Sequence, residues 1–169
     1  MKHLPPESFV DDLLTVCSAL NQLEIPYMII GGIAVALWAN PRATIDLDFV
    51  IALHFFELKK IKIIRFSLCK DTHDLLTIDL ILAIDSFLKA ALDRRVSFTL
   101  SNQKLYAITP EDLILLKLSS ARPQDIVDVT NVIAAQKGLD LPYLTKWAKQ
   151  LKLTSQLKKL LKPNASKLS

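Results

Sequence analysis

GGIAVALWANPRATIDLDF, residues 31–49, places two chemically distinct signals on one short stretch of chain. Tyr27 to Ile30, just before it, reads as a short apolar strand; Gly31-Gly32 is a tight turn, and Ile33 to Ala39 is helical until Asn40-Pro41 stops it. A glycine pair between strand and helix leaves backbone N–H groups open at a helix N-terminus, where phosphate can be cradled. Further on, Thr44 to Val50 alternates, with Ile45, Leu47 and Phe49 on one face and Thr44, Asp46, Asp48 and Val50 on the other. Asp46 and Asp48 therefore point the same way. Leu75 to Leu82 reads as a second alternating strand, with Ile78, Leu80 and Leu82 opposite Thr77, Asp79 and Ile81, which makes Asp79 a third acid on a strand face. Carboxylate oxygens in this arrangement suit hard divalent cations such as Mg²⁺, which share their remaining positions with substrate phosphate. Two such ions about 3.5 to 4 Å apart activate a hydroxyl and stabilise the leaving group of an in-line phosphoryl displacement. Read singly, Asp-x-Asp also fits a solvated strand edge, and each glycine a turn that needs positive φ.

The rest of the chain supplies helices and two more short strands. Apolar residues at 9, 10, 13, 16, 17, 20 and 23 predict an amphipathic helix over Glu7 to Leu23, ended by Pro26. His54 to Phe66 reads as a helix with a lysine-rich outer side, and a further helix is expected over Ser86 to Asp93. Val96 to Leu100 and Lys104 to Ile108 suggest a hairpin through Ser-Asn-Gln. Thr109-Pro110-Glu111-Asp112 opens a helix to about Ser120, Pro123 opens another through Gln136, and Gly138 closes it. From Leu141 onward one amphipathic segment sets Tyr143, Leu144, Trp147, Leu151, Leu157 and Leu160 against lysines, and Pro163 to Ser169 reads as a frayed end. The expected class is α/β (α+β), a small mixed sheet flanked by helices. Its core is expected over residues 1–109, followed by a helical region over residues 110–169 with a basic tail.

Composition narrows the function classes. With 169 residues, 51% of them hydrophobic and 22% charged, the chain is expected to bury one core and a helical extension. Ile25 to Ala39, the longest apolar run, is interrupted by Pro26 and the glycine pair and is too short for a bilayer helix. Cys17 and Cys69 sit in apolar surroundings and read as buried free thiols; with no signal-peptide pattern at the start, the expected location is the cytoplasm. His3, His54 and His73 lack zinc spacing. The net charge of +4 is uneven: residues 141–169 hold seven lysines and no acid, while residues 1–140 hold 14 basic and 17 acidic groups. Such a tail meets phosphate backbones, anionic lipid or an acidic protein, or is simply a solvated helix face.

The order glycine turn, helix, Arg42-x-Thr44, Asp46-x-Asp48 resembles the signature of the nucleotidyltransferase superfamily that includes DNA polymerase β. The Gly-Gly form with Arg42 and Thr44 is similar to minimal nucleotidyltransferases and to abortive-infection toxins of the AbiEii kind. Residues 108–129, ITPEDLILLKLSSARPQDIVDV, resemble the later motifs of that group: Asp112 and Lys117 match an Asp-x₄-Lys element, and Asp125 or Asp128 the acid that follows. Where the family often has a serine after the first glycine, this chain has Gly32 and so lacks that side-chain donor. The resemblance implies transfer of a nucleoside monophosphate from an NTP such as ATP to an acceptor, with pyrophosphate released. It implies that Asp46, Asp48 and Asp79 bind two Mg²⁺ ions (Mn²⁺ being an alternative). Gly31, Gly32, Arg42, Thr44, Lys117, Asp125 and Asp128 would hold the nucleotide, Lys117 also serving catalysis and Asp79 as third ligand or base. Each has a structural alternative: Asp112 as a helix cap, Asp125 and Asp128 as complements to a helix dipole.

The toxin-like resemblance further implies an acceptor RNA such as tRNA, or an acceptor protein, and a cognate antitoxin partner. Two alternatives stay open: a small-molecule, antibiotic-type nucleotidyltransferase with an acidic acceptor pocket, and a catalytically silent binding module of the same fold.

Overall fold

The computed structural model describes residues 7–41, 43–53, 62–71 and 74–161. Arg42, the stretch 54–61 and the end from residue 162 therefore lie outside the described residues, and with them most of the helix expected over His54 to Phe66 and the expected frayed end. The chain folds as two compact units, one of residues 1–37 with 41–109, the other of residues 38–40 with 110–169. No helix among the described residues is long and apolar enough to cross a membrane.

In the first unit, helix α1 (Glu7–Gln22) is followed by β1 (Tyr27–Ile29), α2 (Gly31–Trp38), β2 (Asp46–Ile51), β3 (Ile63–Asp71), β4 (Asp74–Leu82), α3 (Ser86–Asp93), β5 (Val96–Leu100) and β6 (Gln103–Ala107). The six described strands make one mixed sheet in the order β3-β4-β2-β1-β6-β5. β2 runs parallel to β4 and β1 parallel to β6, while β1–β2, β3–β4 and β5–β6 are antiparallel. The α/β class with a mixed sheet is thus the observed one.

Period-2 alternation divides the two faces of this sheet. Tyr27, Ile29, Leu47, Phe49, Ile51, Leu76, Ile78, Leu82, Leu105 and Ala107 form a buried cluster with Phe9, Leu13, Cys17 and Leu20, the apolar stripe of α1. Fully burying each large side chain of that stripe contributes about 1.5 to 3 kcal/mol. Met28 and Val50, register partners on the opposite face, are also fully buried. Cys17 is a free, buried thiol; burial pushes its pKa up to about 11 against the lowering effect of a bond with Tyr27, so it stays protonated. The hairpin β5–β6 turns through Ser101 and Asn102 at φ 48° and 61°, the left-handed pair that two-residue hairpins require.

Two expectations are corrected here. Ile63 to Phe66 is not helical: it begins β3, which pairs Ile63 with Ile81, Ile64 with Leu80 and Arg65 with Asp79. The lysines suggest a solvated helix face, but the β-branched pair Ile63-Ile64 favours a strand, and pairing with β4 outweighs helix propensity. β2 begins at Asp46, so Thr44 and Ile45 precede the strand, and Ile45 is exposed rather than on the core face.

The second unit is helical: α4 (Pro110–Ser120), α5 (Pro123–Ala135), α6 (Leu141–Gln150) and α7 (Thr154–Leu161). The amphipathic segment from Leu141 is two helices, not one. Lys152, at φ 61°, breaks it, and Leu153 N–H donates to the Ala148 carbonyl. Asp140 caps α6 by accepting from Tyr143 N–H at 2.9 Å, and Gln136 Nε2 donates to the Trp38 carbonyl at 2.6 Å. Leu144, Trp147, Ala148, Leu153 and Leu157 are buried, whereas Lys146, Lys149, Lys152, Lys158 and Lys159 are all exposed.

Candidate functional site

The turn after β1 is shaped by the strand that carries the acids. Ile30 N–H donates to the Asp48 carbonyl at 2.9 Å, which draws the turn against β2. Gly31 then adopts φ +62° at the start of α2. A Cβ on Gly31 would overlap the Asp48 carboxylate, and one on Gly32 would come within 2.7 Å of Thr44 Cβ and Oγ1. Both glycines are thus required by close approach, the first by backbone conformation as well. Thr44 Oγ1 lies 3.5 Å from the Asp46 carbonyl, to which it donates. The structure thus brings Gly31, Gly32, Thr44 and Asp48 together. Gly31→Ala should destabilise the protein by about 1 to 2 kcal/mol through the left-handed φ alone, and should push the Asp48 side chain aside. Chemical denaturation of the variant checks the first effect.

Asp79 joins this face through the sheet register. Asp48 pairs with Asp79 across β2–β4, and Asp79 with Arg65 across β4–β3, so Arg65, Asp79 and Asp48 form a lateral row on three adjacent strands. Adjacent strands are about 4.8 Å apart, close enough for the charges to interact. Arg65 grips Asp79 with both ends of its fork, Nε to Oδ1 and Nη2 to Oδ2, each 2.7 Å. Hydrogen bonding and charge from Asp79, then the charges of Asp46 and Asp48, raise the Arg65 guanidinium above its ordinary pKa. Arg65 is hidden from sequence reading because its lysine-rich surroundings fit a helix; the β-branched Ile63-Ile64 just before it is the available signal.

Among the described residues no three histidine, cysteine, aspartate or glutamate side chains converge on a ready metal cage. The donor set nevertheless fits Mg²⁺, which is commonly held by one or two carboxylates together with substrate phosphates. Asp46 is exposed and Asp48 half-buried, so water and phosphate can complete such a shell. Asp79, although held by Arg65, keeps further lone pairs on its two oxygens.

Lys117, Asp125, Asp128 and Asp112 belong to the second unit, where the first three form a buried polar network. Lys117 Nζ lies 3.0 Å from Asp125 Oδ1 and 2.7 Å from Asp128 Oδ2, with side-chain exposures of 7%, 3% and 1%. Asp125 also accepts from Ser120 Oγ at 2.5 Å and Arg122 Nε at 2.7 Å, and Asp128 from Gln124 Nε2 at 3.1 Å. Burial raises the Asp125 carboxyl, but bonds from Arg122, Ser120 and Lys117 outweigh it and hold its pKa at about 2. Asp112 is fully buried and accepts from Tyr143 Oη at 2.6 Å. A lysine amid Leu113, Ile114, Leu115, Leu116 and Leu118 needs counter-charges, and the two acids in the next helix are the sequence signal for them.

Comparison with known proteins agrees with this architecture. A crystal structure of an antigenic nucleotidyltransferase-like protein from Paracoccidioides brasiliensis superposes with a TM-score of 0.50 at 20% identity, over 90% of this chain and 93% of that one. At that identity the likeness is one of fold. No curated protein matches the chain. The model of a family described as "Nucleotidyltransferase of unknown function (DUF6036)" matches residues 10–162, a span that takes in the glycine turn, the acid-bearing strands and the buried lysine network. The chain belongs to that nucleotidyltransferase family.

Proposed function

We propose that the chain is a metal-dependent nucleotidyltransferase, moving a nucleoside monophosphate from an NTP to an acceptor hydroxyl where the Gly31-Gly32 turn meets Asp46 and Asp48. The observation that carries this reading is the Asp48 carboxylate occupying the space a Gly31 side chain would need. The N-terminal end of α2 attracts a phosphate, while Asp48 beside it repels one. Asp46 and Asp48 would hold a divalent cation, whose charge would offset this repulsion.

In this mechanism Gly31 and Gly32 orient the phosphates, and Asp46 and Asp48 would hold Mg²⁺ or Mn²⁺. The ion would supply Lewis acidity to the reacting phosphate and charge stabilisation to the leaving pyrophosphate. An Asp79 oxygen takes the proton of the acceptor hydroxyl; the acceptor O–Pα bond forms as the bond from Pα to the pyrophosphate oxygen breaks. Incubation with α-labelled NTPs and Mg²⁺ tests this directly: label transferred by the parent and lost with Asp48→Asn is expected, and equal labelling by both would overturn it.

The proposed acceptor is RNA, and the resemblance to AbiEii-type toxins supports a toxin restrained by an antitoxin. Five exposed lysines on α6, α7 and their link, with no acid in residues 141–169, favour a phosphate backbone as partner. Leu144, Trp147, Ala148 and Leu157 of these helices are buried, whereas a membrane-seeking helix would present its apolar side chains outward. Changing Lys146, Lys149, Lys158 and Lys159 to glutamine should flatten the salt dependence of RNA binding by about 0.7 in log–log slope for each phosphate no longer neutralised. Filter binding over a salt series measures it; an unchanged slope would make these lysines a solvated face only.

A further inference from the structure

We propose that Arg65 is a resident counter-cation, competing with the divalent ion for the shared negative charge of Asp46, Asp48 and Asp79 and turning to the triphosphate once the ion is bound. The inference rests on the metal-dependent reading of Asp46 and Asp48 and adds a residue to it.

Three carboxylates and one guanidinium share this face. The row Arg65, Asp79, Asp48 is set by backbone register on β3, β4 and β2, with Asp46 two residues from Asp48 along β2. Two like charges side by side on neighbouring strands destabilise a sheet, and Arg65 offsets this by taking both oxygens of Asp79 at 2.7 Å. A cation held by Asp46 and Asp48, with Asp48 beside Asp79 in the register, would draw on the same negative charge, so guanidinium and metal compete.

Exposure separates this role from that of a structural strut. The Arg65 side chain is 66% exposed while that of Asp79 is 14% exposed, so the arginine can swing into solvent while the aspartate stays fixed on its strand. The fork that grips a carboxylate equally suits a phosphate. β3 is held to β4 by its own ladder from Ile63 to Asp71, and an exposed ion pair adds little to that. Arg65 is therefore free to leave without loss of the sheet.

The competition predicts opposite effects on two ligands. Titration calorimetry with Mn²⁺ alone should show Arg65→Gln binding the ion about three- to tenfold more tightly than the parent, since a nearby positive charge has gone. The same variant should bind Mg·ATP more weakly by a similar factor. Arg65→Lys, which keeps the charge but loses the fork, should restore the parent's Mn²⁺ affinity and only part of its ATP affinity. Asp48→Asn serves as the site control. If Arg65→Gln binds Mn²⁺ equally or more weakly, while Asp48→Asn abolishes binding, the counter-cation role is overturned and the metal site stands. If neither the parent nor Arg65→Gln binds Mn²⁺, or Asp48→Asn leaves binding intact, the metal reading falls and this inference with it.

Discussion

Lys117→Met is expected to lower the stability of the protein by about 3 to 5 kcal/mol, because it leaves two carboxylates buried without their shared cation. Asp125 and Asp128 face Lys117 Nζ at 3.0 and 2.7 Å and are almost wholly excluded from solvent. Asp125 would keep Arg122 and Ser120, and Asp128 would keep Gln124, so part of the network survives. For a protein of this size the loss corresponds to a fall in melting temperature on the order of 10 °C. The pH dependence is diagnostic. In the parent the depressed Asp125 carboxyl contributes stability that is complete above about 3.8 and is lost as pH falls through about 2. In the variant, carboxylates buried without Lys117 have raised pKa values and take up protons earlier, so its deficit should shrink as pH is lowered from 7 to 5. The triple variant Lys117→Met, Asp125→Asn, Asp128→Asn removes charge from both sides and should recover much of the loss. Paired thermal melts at the two pH values check these outcomes. An unchanged melting temperature with weakened ATP binding would instead assign Lys117 to the nucleotide, as the sequence resemblance implies.

Sequence pattern is most informative where a residue's surroundings lie close to it in the chain. The glycine turn, the alternation of β2 and β4, and the starts of α4 and α5 are local signals, and the structure contains each of them. Gly31 illustrates the limit of such signals: the sequence calls for a glycine in a turn, but only the fold shows that Asp48 fills the space of the missing side chain. β3 escapes sequence reading because lysine-rich chain with apolar residues at mixed spacing fits a helix until a partner strand is supplied, and that partner, β4, begins only at Asp74. Arg65 escapes with it. Lys117 stands out in its apolar helix, yet whether its charge is met by an aspartate or by a phosphate depends on how α4 and α5 pack, which no single-helix periodicity encodes. Lys152 likewise gives no warning that the basic segment breaks into two helices. The sequence carries the acids of the candidate site; their neutralisation is a property of tertiary pairing.

Asp46→Asn and Asp48→Asn should each reduce nucleotidyl transfer by at least about a hundredfold without unfolding the protein. Asparagine keeps the size of the side chain, so in Asp48→Asn the amide still fits against Gly31 and Ile30 N–H still reaches the backbone carbonyl of residue 48. What is lost is a charged oxygen, and hard cations bind neutral amide oxygens less well. The effect on the metal-free protein should be small because two terms oppose each other. Removing a charge relieves repulsion among Asp46, Asp48 and Asp79, but forfeits the attraction that both β2 acids exert on Arg65. Melting temperatures in chelator should therefore stay level or rise slightly for each variant. A structural role for the acids predicts the reverse pattern: lower melting temperature with transfer retained by the folded fraction. Melting in chelator and transfer rate in Mg²⁺, measured on the same preparations, distinguish the two, and an Asp48→Asn protein with the parent's transfer rate would remove Asp48 from the chemistry.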